Sequence, residues 1–266
     1  ATKWGDPKNF PWTMGWQPSY QSEARIFAQH LMATKPNAKI AILYQNDDYG
    51  KDYLQGFKDG LGEKGRKQII AETSYEVTDP TVDNQLITLK GSGADAFFNI
   101  TTPKFAAQAI KKMAEIGWKP LHYLNSVSAS VGAVIVPAGV DNAKDIYTAQ
   151  YLKDPTDTRW HSFPDYTLWA DWMKKWHPQG DLKDANNVYG FVVAQGLVEV
   201  LKKAGDNLTR ANIMKQAASL DLHTIPMMLP GVNVKTGPDD FYPIEREQLA
   251  RWDGRTWELT GKTYGR

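Results

Sequence analysis

The 266 residues contain no cysteine, so disulfide frameworks, thiolate metal sites and thiol catalysis are excluded together. There is no run of 18 apolar residues and hence no membrane-spanning helix to expect. The opening stretch, ATKWGDPKNFPW, also lacks the basic-then-apolar order of a secretory leader, which is consistent with a soluble, processed chain. Charge of one sign is missing too. With 31 Lys+Arg against 30 Asp+Glu the net charge is +1, so nucleic acid and anionic membrane are disfavoured as partners. Metal and hydrolase patterns are equally thin. His30, His122, His161, His177 and His223 show no ligand spacing, and no serine stands in a G-x-S-x-G elbow. GSGADA, Gly91 to Ala96, matches a dinucleotide fingerprint by letter, but it precedes a strand instead of following one. No cofactor is expected, and no enzyme.

What the chain has is rhythm and aromatics. Residues 1 to 18, with Pro7, Pro11, Pro18, Gly5 and Gly15, form an extended entry. Ser19 opens an amphipathic helix that ends before Pro36. Strand and helix then alternate: strand Ile40 to Tyr44, helix Gly50 to Lys64, strand Gln68 to Tyr75, helix Val82 to Lys90, strand Ala96 to Ile100, helix Lys104 to Ile116, strand His122 to Leu124. Short unbroken apolar runs alternating with helices predict a doubly wound, parallel α/β sheet. After Ser126 the texture changes. SVSASVGAVIVPAGV suits a crossing between domains, and Asp145 to Tyr151 offers one more strand. Helices are expected at Pro164 to Trp176, Asn186 to Ala204 and Thr209 to Leu220, and a hairpin turning at Asp253-Gly254 should close the chain. One strand with three helices cannot make a sheet-based domain, because the strand keeps two open edges. That half is expected to be incomplete.

Asn46-Asp47-Asp48-Tyr49-Gly50 is the most distinctive turn. Neighbouring carboxylates diverge, so they make a poor catalytic dyad, and the segment becomes helical too soon for a calcium loop. The aspartates are expected to cap the following helix. Tyr49 lies just past the C-terminal end of a parallel strand, where open α/β sheets bind ligands. Loops after the other strands bring Thr101, Thr102 and Phe105, and Asn125, Ser126 and Ser128, toward the same side. Trp12, Trp16, Tyr20, Tyr49 and Tyr151 fall in loops where aromatics line pockets, or else simply pack. This uncharged rim suits a small solute better than bond chemistry.

Taken together, FPWTMGWQPSYQSEARIFAQHL, AILYQNDDYGKDYLQGFKDGL, ADAFFNITTPKFAAQAIKKMAEIGW and FYPIEREQLARWDG give the chain a resemblance to the leucine/isoleucine/valine-type periplasmic binding proteins, the solute receptors of ABC importers. It covers nearly the whole chain from about Asn9. The resemblance implies a type I periplasmic-binding-protein-like α/β fold, with a solute held between two lobes and a membrane permease as partner outside the cytoplasm. By analogy, residues 9–126 with 240–266 correspond to a complete second lobe, and 127–239 to a partial, helix-rich first lobe lacking its opening βα units. Such a fragment would rearrange or pair with a second copy. The resemblance makes Tyr49, Thr101, Thr102, Ser126, Ser128, Tyr151, Trp16 and Gln17 the ligand-facing residues. Ser126-Val127-Ser128 departs from the amino-acid-binding members, which carry an acid there for the ammonium, so a carboxylic acid, aromatic acid or amide is expected over an amino acid. A ligand-sensing domain of the same fold is the alternative.

Overall fold

The computed structural model describes residues 1–265. The chain runs through α1 (Tyr20–Thr34), β1 (Ile40–Gln45), α2 (Asp48–Arg66), β2 (Ile69–Tyr75), α3 (Asp83–Gly91), β3 (Ala96–Ile100), α4 (Pro103–Glu115) and β4 (Leu121–Leu124). A π-helical turn, Val131–Ile135, leads into the short α5 (Val136–Ala138) and then β5 (Tyr147–Gln150). Next come α6 (Pro164–Trp176), α7 (Ala185–Ala204) and α8 (Arg210–Ala217), the two-residue strands β6 (Asp221–Leu222) and β7 (Val234–Lys235), and finally β8 (Arg246–Trp252) and β9 (Trp257–Gly265). Strand and helix periods in the sequence predict α1 to α4, β1 to β5, α6 to α8, β8 and the start of β9 to within a few residues at their ends, but not the π-helical turn, α5, β6 or β7. Among the described residues no helix is long and apolar enough to cross a membrane.

Two compact units result. One, here the sheet unit, holds Tyr20–Ala149 and Gln248–Lys262. The other, the helical unit, holds Ala1–Ser19 and Gln150–Glu247, with residues 263–265.

In the sheet unit the strand order is β2-β1-β3-β4-β5-β8-β9, with parallel pairing from β2 through β5. Helices cover both faces, which is why every residue of β3 (AFFNI) is buried and its sequence does not alternate. On one face Leu43, Phe97 and Tyr75 pack with Leu86, Phe105 and Met113 from α3 and α4. On the other, the Phe98 ring meets Phe27 of α1 at 5.4 Å and Phe57 of α2 at 4.8 Å. α1 and α2 approach so closely that a Cβ on Gly56 would lie 2.3 Å from the Gln21 Cα. Backbone cannot move aside as a side-chain tip can, so Gly56→Ala should destabilise this unit by roughly 2 kcal/mol, the scale of core overpacking, measured as the shift in denaturant midpoint.

Two expectations are corrected here. The extra strand is not left with open edges: β5 lies between β4 and β8 in the large sheet. Likewise SVSASVGAVIVPAGV does not leave the sheet unit. Val131, Val134, Ile135 and Ala138 bury themselves against Leu124, Trp252 and Trp257, so its small apolar residues are core residues and not a linker. Past this segment the chain stays in the sheet unit until Ala149 and enters the helical unit at Gln150. The closing hairpin turns at Asp253, whose carboxylate accepts from the Arg255 and Thr256 amides at 2.7 and 2.8 Å.

The helical unit has β6 and β7 as its own antiparallel pair. Its core includes Trp169 and Met173 of α6 with Val188, Phe191 and Val192 of α7. Lys153 meets Asp165 at 2.6 Å, and the same carboxylate oxygen accepts from the Met227 amide at 2.8 Å, tying α6 to two loops.

Candidate functional site

A strand order of 2-1-3-4-5 reverses direction between β1 and β3, and at that switch point the loops diverge and leave a crevice outside the strand ends. Tyr49 follows β1 and Thr101 follows β3. The loop after β1 is set by a cap: Asp47 Oδ1 accepts from the Gly50 amide at 3.0 Å, while its other oxygen accepts from Gln45 Nε2 at 2.5 Å. A Cβ on Gly50 would fall 1.9 Å from the Gln45 carbonyl oxygen, so only glycine allows so short a strand-to-helix turn. One of the two aspartates thus starts a helix, as their spacing predicts.

Tyr49 is presented by this turn. Its hydroxyl donates to the Thr101 carbonyl at 3.0 Å, and its ring stands edge-on to Tyr20 at 5.2 Å and to Tyr53 at 5.3 Å. Burial, helped by nearby Tyr75, pushes the Tyr49 hydroxyl well above its ordinary pKa, so it stays a neutral donor. The Thr101 carbonyl also accepts from Asn125 Nδ2 at 2.8 Å and from Ser128 Oγ at 2.5 Å. The ends of β1, β3 and β4 are thereby joined at one backbone oxygen. The Thr101 hydroxyl itself is buried and donates to Asn99 Oδ1 at 2.7 Å. Thr102, half-buried at the start of α4, donates through its hydroxyl to Gln45 Oε1 at 3.2 Å and through its amide to the Tyr75 hydroxyl at 3.0 Å.

Beneath Ser126 lies a residue the sequence did not single out for function. Glu23 of α1 is 1% exposed, and it accepts from the Ser126 amide at 2.7 Å, the Ser126 hydroxyl at 2.6 Å and the Tyr53 hydroxyl at 2.9 Å. Desolvation raises its pKa to about 7, and those hydrogen bonds oppose the rise. In sequence Glu23 passes for a first-turn acid facing the helix dipole. A signal existed nonetheless: it stands four residues before Phe27 and eight before Leu31, on the stripe that α1 buries.

Of the sequence-derived site residues, the structure gathers Tyr49, Thr101, Thr102, Ser126 and Ser128 at these strand ends in the sheet unit. Trp16, Gln17 and Tyr151 belong to the helical unit. There Trp16 and Gln17 line a cavity of about 190 Å³ with Trp4, Tyr189 and Tyr242, and the Trp16 ring lies where a Cβ on Gly196 would be, 2.0 Å from it. Tyr151 is buried and its carbonyl accepts from the Leu229 amide at 3.0 Å. The strand-end cluster offers hydroxyls, amides and ring edges. Its one buried carboxylate is enclosed by donors, so the chemistry available is recognition of a polar solute.

A family model described as "Periplasmic binding protein" matches residues 1–256. Among solved structures, a branched chain amino acid ABC transporter protein from Thermus thermophilus with bound valine superposes with a TM-score of 0.83 at 14% identity, over 98% of this chain and 69% of that one. A possible leucine/isoleucine/valine-binding protein from Rhodopirellula baltica gives 0.76 at 18% identity, over 94% and 66%. A fatty acid ABC transporter substrate-binding protein from Thermomonospora curvata gives 0.69 at 18% identity, over 95% and 66%. The chain thus spans about two thirds of the length of each. No curated protein sequence matches it.

Proposed function

Because the chain belongs to the periplasmic binding protein family, we propose that it is the solute-binding component of an ABC importer of the branched-chain amino acid type, working outside the cytoplasm and delivering to a membrane permease. The family binds small solutes and carries out no bond chemistry. The observation that carries the proposal is the Tyr49 to Thr101 hydrogen bond at 3.0 Å, which lies at the β1/β3 switch point where a crevice is expected. Tyr49, Thr102 and Ser126, none of them fully buried, are the proposed solute contacts, with Thr101 and Ser128 holding the loop backbones in place. Trp16, Gln17 and Tyr151 are carried as further contacts on family resemblance alone.

The proposed solute is a small carboxylic acid, aromatic acid or amide. An amino acid would bring an ammonium, and the carboxylate nearest the rim, Glu23, is sealed and already surrounded by donors. A buried ammonium left without its counter-charge costs roughly 2–5 kcal/mol. A thermal-shift series with leucine, valine, benzoate, phenylacetate and hexanamide tests this. Ligand at a hundred times its Kd should stabilise by about 2.7 kcal/mol. Stabilisation by benzoate, phenylacetate or hexanamide above that by leucine and valine is the expected result. Preference for the amino acids would overturn the solute class, and no response to any member would overturn the binding site.

A further inference from the structure

The sheet unit contains a second concavity, at the opposite end of its strands. A cavity of about 470 Å³ opens beside the last turn of α4 and the starts of β4 and β5, which pair at Tyr123 and Tyr147 just beyond it. That volume lies within the range of small-molecule sites. Ile110, Met113, Trp118 and Ile146 supply apolar walls, and the Trp118 indole donates away from the cavity to the Ala94 carbonyl at 3.2 Å.

One polar group lines this cavity from inside the fold. His122 is 6% exposed, and its Nε2 lies 3.2 Å from Asn99 Nδ2. Asn99 is itself oriented by the Thr101 hydroxyl, which donates to its Oδ1 at 2.7 Å and so leaves the amide nitrogen facing the imidazole. An amide nitrogen only donates, so His122 Nε2 accepts and the ring hydrogen sits on Nδ1. Among the described residues that Nδ1 hydrogen has no protein acceptor. Burial lowers the His122 pKa to about 3, so the ring remains neutral. His122 as a whole is nine-tenths buried, but Nδ1 itself is not sealed from solvent, so this donor, held in one tautomer, is available to a ligand oxygen in the cavity.

Charge at the mouth indicates what that is. Lys119 and Lys144 line the opening with Asp141 and Asp145. Asp145 is engaged by Arg251 at 3.0 Å, whereas neither lysine has an ion-pair partner among the described residues. Arg251 is shared with Glu258 at 3.0 Å and so does not offset both carboxylates, which leaves the two lysines as the groups at the mouth able to receive an anion. We propose that this cavity is a second ligand site, for a small organic monoanion with an apolar body, whose carboxylate oxygen accepts from His122 Nδ1 while Lys119 and Lys144 balance its charge. No residue lining this cavity belongs to the strand-end cluster, and the two are linked only through the Thr101 hydroxyl that orients Asn99.

Benzoate is the probe, titrated into the full chain while the His122 imidazole nitrogens are followed by NMR, with benzyl alcohol as the neutral analogue. Benzoate should shift the Nδ1 resonance saturably, and the exposed double variant Lys119→Gln/Lys144→Gln should bind about tenfold more weakly. Tyr49→Ala should leave this response in place, which separates it from binding at the strand ends. The proposal is overturned by a His122 ring that stays silent at every soluble benzoate concentration, by an equal response to benzyl alcohol, or by loss of the response in Tyr49→Ala.

Discussion

Glu23→Gln should be more stable than the parent at pH 8 and lose that advantage by pH 4. The Glu23 carboxyl has a pKa of about 7 in the folded chain against an ordinary 4.5, with desolvation as the largest cause. Between those two values the folded state holds a proton that the unfolded state has released, so stability falls as pH rises through that window. The displacement corresponds to about 3 kcal/mol at most, and glutamine, which never ionises, avoids it. His122 works in the opposite sense. Its pKa of about 3 lies below the ordinary 6.5, so the unfolded chain binds the extra proton and stability is lost as pH falls through that interval. The two slopes oppose each other between about pH 4.5 and 6.5, while Asp154 slopes in the same sense as Glu23 up to about pH 6. The difference between variant and parent isolates Glu23, because His122, and Asp154 with its pKa raised by burial to about 6, are common to both. Denaturant unfolding at pH 4, 5.5, 7 and 8 supplies the measurement, and a difference that does not grow with pH would show that Glu23 is not held protonated.

Tyr49→Ala should weaken binding of the best solute from the thermal-shift series by roughly ten- to a hundredfold, the scale of losing one anchoring aromatic. The ring is braced edge-on by Tyr20 and Tyr53, and those two stack at 4.6 Å, so the free protein already holds it in place. Tyr49→Phe separates the ring from the hydroxyl. It keeps the braces and deletes only the bond to the Thr101 carbonyl, an oxygen that still accepts from Asn125 and Ser128, so the expected loss is under about fivefold. Calorimetric titration of both variants decides the matter. Equal affinity in Tyr49→Ala and the parent would remove Tyr49 from the site.

Local rules were sufficient for much of this molecule. The mostly apolar AFFNI had to be a strand covered on both faces, Asp47 had a free amide to cap, and Gly50 had no room for a side chain beside the Gln45 carbonyl. These follow from steric and hydrogen-bonding demands within a few residues. The same rules failed where burial depended on distant partners. SVSASVGAVIVPAGV has the composition of a linker, but Trp252 and Trp257, more than a hundred residues later, cover it and make it core.

The sequence by itself determined the alternation of strands and helices, and with it the edge of the sheet on which Tyr49, Thr101 and Ser126 emerge, because parallel strands place all their following loops on one side. Only tertiary structure decided what those groups bond to. Glu23 and Ser126 lie 103 positions apart, and Asn99 and His122 lie 23 apart. No local preference records that a first-turn glutamate will lose its water, or that a strand histidine will have its tautomer fixed by a neighbouring amide. Desolvation is a property of the packed whole, so the ionisation of Glu23 and the orientation of His122 exist only once the helices have closed over the sheet.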